Sequence, residues 1–279
     1  MRALILGAGG MLGYDLVRSA PEGTELHPLT RHDLDITDRA ALAARVSELR
    51  PNVILNAAAY TGVDRAETER NLCFRVNGEA VGELGRSAAR TGARVVHFST
   101  DYVFDGKASR PYQEDTPTKP VNAYGESKLA GEKALAETGA DWLIVRTQWL
   151  FGVNGKSFPR TMWERAHAGL ETRVVRDQTG RPTFSHDLAV AVWALIARGT
   201  RGVMHVANDG QSTWFDVAAH VFARAGRPDL LSACSTADFP TPARRPTYSV
   251  LDTHLAEQLG GNLPPWPQAV DRFLEDLRR

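Results

Sequence analysis

Cysteine is nearly absent: Cys73 and Cys234 are the only two thiols, far apart and at no metal-binding or redox spacing. This excludes a disulfide scaffold and a thiolate metal cluster, and both residues read as small buried apolar groups. Charge imbalance is absent too, with 33 Lys+Arg against 33 Asp+Glu. No global basic field therefore draws in nucleic acid or an anionic membrane. Any anion that is held must be held by local geometry. No apolar run reaches the roughly 18 residues needed to cross a bilayer, and no repeat or low-complexity tract is found. Met1 and Arg2 lead straight into a strand-like run without a signal-peptide pattern, so a cytoplasmic protein is expected.

What is present is an ordinary globular composition, 43% hydrophobic and 24% charged over 279 residues. It suits one large α/β domain with a smaller appendage. Short continuous apolar runs at Ala3–Leu6, Val53–Asn56, Val95–Phe98 and Trp142–Val145 read as strands buried on both faces. Helix-like segments over 39–50, 71–90 and 127–137 separate them, and this alternation implies a doubly wound parallel sheet. We expect a dinucleotide-binding Rossmann domain over 1–150. Residues 151–279 are expected to form mainly a loop-rich substrate-binding region, with segments near 185–200 and 245–255 returning to the first domain. Val203–Val206 reads as one short strand within that region.

Gly7, Gly10 and Gly13 stand between the first strand and the first helix at G-x-x-G-x-x-G spacing. Such a turn permits close backbone approach to a pyrophosphate, which the helix N-terminus then attracts. The second strand ends near Arg31, where NAD-specific enzymes place an acidic residue. Arg31 is suited to the 2′-phosphate of NADP, the alternative being a solvated loop arginine. Asp35 and Ile36 lie where they flank an adenine. Tyr124 and Lys128, four residues apart, share one helix face. There an ammonium favours a tyrosine that donates a proton to a carbonyl oxygen as hydride arrives at carbon. Thr100 follows the strand Val95–Phe98 directly, at the sheet edge where ligands of open parallel sheets bind, and can polarise that carbonyl. A turn-capping role is the plainer alternative.

At these residues the chain resembles the dTDP-4-dehydrorhamnose reductase family of extended short-chain dehydrogenases. The match runs along nearly the whole length. It is carried by the stretches 56–67, 99–106, 124–132, 146–149, 177–183, 243–246 and 249–251. The resemblance implies that Tyr124 is the general acid and that Lys128 is its partner, which also binds the nicotinamide ribose. Thr100 would hold the 4-keto oxygen with Asp101 beside it, and Trp149 would pack on the sugar ring. Gly10, Met11 and Leu12 match the pyrophosphate turn, Asp35 and Ile36 the adenine end, and Ala59, Tyr60 and Thr61 the loop lining the cofactor. Arg181, Arg244 and Arg245 are candidates for the substrate diphosphate. Gln148 and Phe151 depart from the commoner small hydroxyl residue and tyrosine, near the expected sugar pocket.

The implied activity is reduction, by NADPH with NADH as an alternative, of the C4 ketone of dTDP-4-dehydro-β-L-rhamnose. Alternatives are another dTDP-4-keto-6-deoxysugar, or a non-catalytic regulatory subunit of the methionine adenosyltransferase type, which shares this fold. The expected partner is a small dTDP-sugar, with no nucleic acid, no membrane and no metal, in a monomer or homodimer.

Overall fold

A strand without a polar residue is stable only where both of its faces are covered. The structure, a computed structural model describing residues 1–278, covers both faces of each apolar run. β1 (Arg2–Leu6) leads into α1 (Met11–Arg18), followed by β2 (Glu25–Leu29), α2 (Arg39–Leu49) and β3 (Val53–Asn56). A long helical stretch comes next: α3 (Arg70–Phe74), a π-helical turn (Arg75–Glu79) and α4 (Ala80–Thr91). Then come β4 (Arg94–Thr100), α5 (Ala123–Ala136) and β5 (Asp141–Thr147). The remainder is β6 (Leu150–Phe151), α6 (Phe158–His167), β7 (Thr172–Val175), β8 (Thr179–Gly180), β9 (Thr183–Phe184) and α7 (Ser185–Ala197). After these follow β10 (Gly202–His205), β11 (Ser212–Thr213), α8 (Trp214–Arg224), β12 (Leu231–Cys234), α9 (His254–Gln258) and α10 (Trp266–Leu277).

Six parallel strands form the main sheet in the order β10-β5-β4-β3-β1-β2. Successive strand residues point to opposite faces. Ala3, Ile5, Leu55, Val96 and Val145 pack on one side with α1 and α7, where Trp193 donates to the Leu16 carbonyl at 3.0 Å. Leu4, Leu6, Ile54, Val95 and Ile144 pack on the other with residues of α2, α4 and α5. The run at Val203–Val206 supplies β10, which joins the edge of this sheet beside β5. A second apolar cluster, around Phe151, Phe184, Phe222 and Phe273, holds α6, α8 and α10 together.

Strand order reverses at β1, which has β2 on one side and β3 on the other. That reversal opens a crevice at the carboxyl ends of the strands. The glycine turn fits the chain into it. Gly7 takes φ +77°, and a Cβ there would lie 2.6 Å from the Ala58 nitrogen. At Gly13 a Cβ would overlap the Gly7 carbonyl oxygen and lie 2.7 Å from Ala8 Cα. Gly13→Ala is expected to lower the unfolding free energy by about 1–3 kcal/mol, the usual penalty for overfilling a packed site. The denaturant midpoint reads this, and an unchanged midpoint would mean that the turn has room to spare.

Candidate active site

A cavity of about 580 Å³ occupies the crevice. Its walls come from the three loops after β1, β2 and β3: Gly7, Gly9 and Gly10; Thr30, Arg31, His32, Asp35 and Ile36; and Ala57 to Gly62 with Arg65. Gly10 caps α1 without a side chain, which leaves the N–H groups of Met11, Leu12 and Gly13 without a capping partner. An anion at this helix end meets those donors and the positive end of the helix dipole. Arg31 is exposed and sits 3.7 Å from the Asp35 carboxylate. Asp35 accepts from the Thr37 N–H and hydroxyl at 2.9 and 2.8 Å, and these bonds hold its carboxyl below the ordinary range. The residues present therefore fit a dinucleotide: bare amides for phosphates and a cation at the ribose end.

Across β4 a second group of side chains converges. Thr100 ends the strand and Asp101 follows it, both buried. The Thr100 hydroxyl donates to Asp101 Oδ1 at 3.0 Å, while Asp101 Oδ2 is buried without a partner. Burial pushes the Asp101 carboxyl up to about 6, against the opposing bonds from Ser249 and Thr100. Tyr124 lies in the first turn of α5, which begins earlier than the helix expected over 127–137. Asn122 accounts for the difference: it caps the helix by accepting from the Gly125 N–H at 2.8 Å. The Tyr124 phenol is raised above its ordinary pKa, first by burial and then by the Asp101 carboxylate, with the Thr100 hydroxyl opposing. Burial thus works against the acidification expected of Lys128, and Tyr124 is a neutral phenol, the form able to donate a proton. Lys128 is buried, and its ammonium donates to the Phe98 carbonyl at 2.6 Å. Burial lowers its pKa to about 8, opposed by the Glu132 carboxylate.

A further cavity, of about 500 Å³, opens among residues of the carboxyl-terminal half. Phe158, Met162, Val174, Gln178, Trp214, Phe239 and Arg245 line it. Arg245 pairs with Asp64 at 2.9 Å, and its Nη1 is buried without a partner. Tyr124 lines neither cavity. It packs with Tyr60, from the first cavity, on the cluster of Ala66, Cys73 and Ala123. It also meets Tyr102 edge-on at 5.8 Å, and Tyr102 in turn feels the charge of Arg245.

Of the residues expected from the sequence, Gly7, Gly10, Arg31, Asp35, Ile36, Ala59, Tyr60 and Thr61 line the first cavity, and the others sit elsewhere. Arg244 is exposed and contributes its carbonyl to Asn122 at 2.8 Å, whereas its neighbour Arg245 lines the second cavity, as do Arg165 and Arg173. Arg181 turns to Thr253 at 2.9 Å and lines neither cavity. Trp149, at φ +47°, stacks on Trp214 with 3.7 Å between ring centroids, and it is Trp214 that faces the second cavity. The Leu12 side chain is in the core, so only its backbone faces the turn. Gln148 and Phe151 are likewise buried away from both cavities. Gln148, oriented to satisfy its neighbours, donates to the Ser249 carbonyl and accepts from the Leu251 N–H, and Phe151 stacks on Phe184. Asn77 had gone unread. From the π-helical turn its amide accepts from the Tyr60 N–H and donates to the Tyr60 carbonyl, both at 2.9 Å, and so holds the cofactor-side loop. Its signal was an Asn-Gly pair inside a helix, where both residues are poor helix formers.

The fold and this set of groups define a dinucleotide-binding protein of the extended short-chain dehydrogenase type. Residues 1–279 match the family model of the RmlD substrate binding domain, and the chain belongs to that family. It is 43% identical to a dTDP-4-dehydrorhamnose reductase of Burkholderia thailandensis, over 99% of each chain. It is 44% identical to a probable dTDP-4,6-dihydroxy-2-methyloxan-3-one 4-ketoreductase of Streptomyces antibioticus, over 99% of this chain and 96% of that one. Among solved structures it is similar to the dTDP-4-dehydrorhamnose reductase of Bacillus anthracis in complex with NADP. The TM-score is 0.95 and the identity 36%, with 99% of each chain covered.

The raised Asp101 carboxyl gives a pH dependence of stability. Its folded pKa of about 6 exceeds the ordinary 3.8, so the folded state binds the proton more tightly. The Asp101 contribution to stability therefore falls as pH rises from about 4 through 6, by an amount on the order of 1–3 kcal/mol. Asp101→Asn is expected to raise the melting temperature at pH 8 and to leave it nearly unchanged at pH 3.5. Equal effects at both pH values would show that Asp101 is not the group responsible.

Proposed function

We propose that the protein is an NAD(P)H-dependent reductase that converts dTDP-4-dehydro-β-L-rhamnose to dTDP-L-rhamnose. The observation that carries this reading is the convergence of Thr100, Asp101, a neutral Tyr124 and the Lys128 ammonium at the end of β4. Family membership supports it, as do relatives named for this reaction. NADPH is the preferred cofactor and NADH the alternative, since the similar Bacillus anthracis enzyme holds NADP and Arg31 lies on the cavity wall where NAD-specific enzymes carry an acid.

In this reading residues 1–150 hold the dinucleotide. Gly10 lets the pyrophosphate approach while its own N–H closes the turn on the Gly7 carbonyl. The N–H groups at Met11, Leu12 and Gly13 take the pyrophosphate, Arg31 the 2′-phosphate, and Asp35 and Ile36 the adenine end. Ala59, Tyr60 and Thr61 line its path, and Lys128 binds the nicotinamide ribose. Residues 151–279 mainly cover the sugar nucleotide. Arg245 is the diphosphate ligand and Trp214, backed by Trp149, an aromatic wall. The reduced nicotinamide supplies hydride to C4. Thr100 holds the ketone oxygen, and Tyr124 gives that oxygen its phenolic proton as the C–O double bond becomes an alcohol. Thr100 holds that oxygen by turning its hydroxyl hydrogen from the Asp101 carboxylate to the ketone, which frees Asp101 to accept from a sugar hydroxyl. The buried Lys128 charge then stabilises the phenolate that Tyr124 leaves behind.

A second reading, reduction of another dTDP-linked 4-keto-6-deoxysugar, is favoured by the 44% identity to the Streptomyces antibioticus relative. The same groups serve both reactions, so turnover on a panel of keto sugars separates them. NADPH oxidation by purified protein with dTDP-4-dehydrorhamnose, yielding dTDP-L-rhamnose, tests the main reading. Tyr124→Phe is expected to reduce kcat by about 10²–10⁴-fold, the usual contribution of a general acid, with NADPH affinity nearly unchanged. Full activity in that variant would remove Tyr124 from the chemistry. Arg245→Ala is expected to raise KM for the dTDP-sugar about tenfold or more without moving the Kd of NADPH. An unchanged KM would place the diphosphate elsewhere.

A further inference from the structure

His97 is fully buried on β4, paired in register with Asn56 on β3. Its Nε2 lies 3.4 Å from Lys128 Nζ, and its Nδ1 lies 3.2 Å from the Asn56 side-chain amide, whose Oδ1 is buried without a partner. An ammonium carries only donors, so Nε2 must offer a lone pair to receive one of them. A neutral imidazole then carries its proton on Nδ1, and Nδ1–H requires an acceptor. The unpartnered Asn56 oxygen is the acceptor at hand once the amide turns over.

We infer that His97, kept as the neutral Nδ1–H tautomer by Asn56, is a positioning residue that accepts a hydrogen bond from Lys128. The inference rests on the reading of Lys128 as the partner of Tyr124. Phe98 and His97, adjacent on β4, together fix two of the three ammonium donors and leave the third for the ligand side. The groups around the lysine leave little else to do this. On α5, Glu132 shares its carboxylate with Arg146 at 2.7 and 2.9 Å and with Ser99 at 2.5 Å. Tyr124 is a neutral phenol one turn earlier, beside the Asp101 carboxyl. On α3, burial holds the Cys73 thiol above its ordinary pKa, so it is neutral. His97 itself is kept neutral by burial, and the nearby lysine charge acts in the same direction.

Two measurements on the ligand-free protein test this independently of turnover. The first is the ¹⁵N spectrum of the histidine rings: His97 is expected as Nδ1–H, and finding it as Nε2–H overturns the inference without any mutation. The second is the titration of ¹³Cε-labelled lysines, of which the chain has five. Removing an acceptor from an ammonium destabilises its charged form. In His97→Leu the Lys128 midpoint is therefore expected to fall by about one pH unit. His97→Gln, which places an oxygen where Nε2 stood, is expected to restore most of it. An identical midpoint in His97→Leu, or no recovery in His97→Gln, also overturns the inference. In an active enzyme the basic limb of kcat follows the same shift. Loss of keto-sugar turnover in the parent protein would count against the proposed reaction alone, because neither spectrum depends on it.

Discussion

A lysine ammonium buried against β4 is the constraint on which the site depends. A charge taken out of water is costly unless its donors are met. Phe98 and His97 from β4 meet two of the Lys128 donors, and the Glu132 carboxylate one turn further along α5 favours its charge from a distance. Glu132 is in turn gripped by Arg146 from β5, whose guanidinium reaches the Glu114 carbonyl and lies over the Phe104 ring. Each of these groups would be left unsatisfied if α5 slid along the sheet. The network therefore fixes the register of α5 on β4 and β5, and with it the placement of Tyr124 beside Thr100 and Asp101.

The site is also sewn together from distant parts of the chain. Asp64, in the loop after β3, accepts from the Ala243 N–H and from Arg245. Asn122 caps α5 with one end of its amide and holds the Arg244 carbonyl with the other. Gln148 pairs with the backbone at Ser249 and Leu251. These polar ties bring the segment 243–251 onto the carboxyl edge of the sheet, where Ser249 meets Asp101 and Arg245 faces the second cavity. A second-cavity wall built in this way depends on the same helix and loop that stand beside the first cavity, so the two spaces share their supports.

Much of this was legible in the sequence, for identifiable reasons. Continuous apolar runs can only be doubly covered strands, so the parallel sheet followed from Ala3–Leu6, Val53–Asn56 and Val95–Phe98. The glycine spacing placed the turn at the crevice, because Gly13 has no room for a Cβ. That Tyr124 and Lys128 share one helix, α5, and that Thr100 ends β4 could be read because their spacing expresses local geometry. Arg244 and Arg245 could not be told apart in the sequence, because adjacent loop residues point apart and nothing local says which way each points. Trp149 was read as facing the sugar, whereas its strained backbone turns it onto Trp214, a partner 65 positions away in the chain.

What the sequence determined by itself is whatever repeats over a few residues. The strand and helix periods, the glycine turn, the absence of a membrane-length apolar run and the Tyr–Lys spacing are of this kind, because each reflects a contact between neighbours along the chain. Only the tertiary structure decided which strand closes the sheet edge, which of Arg244 and Arg245 lines the second cavity, and that burial rather than Lys128 governs the Tyr124 phenol. Those outcomes depend on desolvation and on partners brought together from far apart in sequence, and both exist only after the layers have packed.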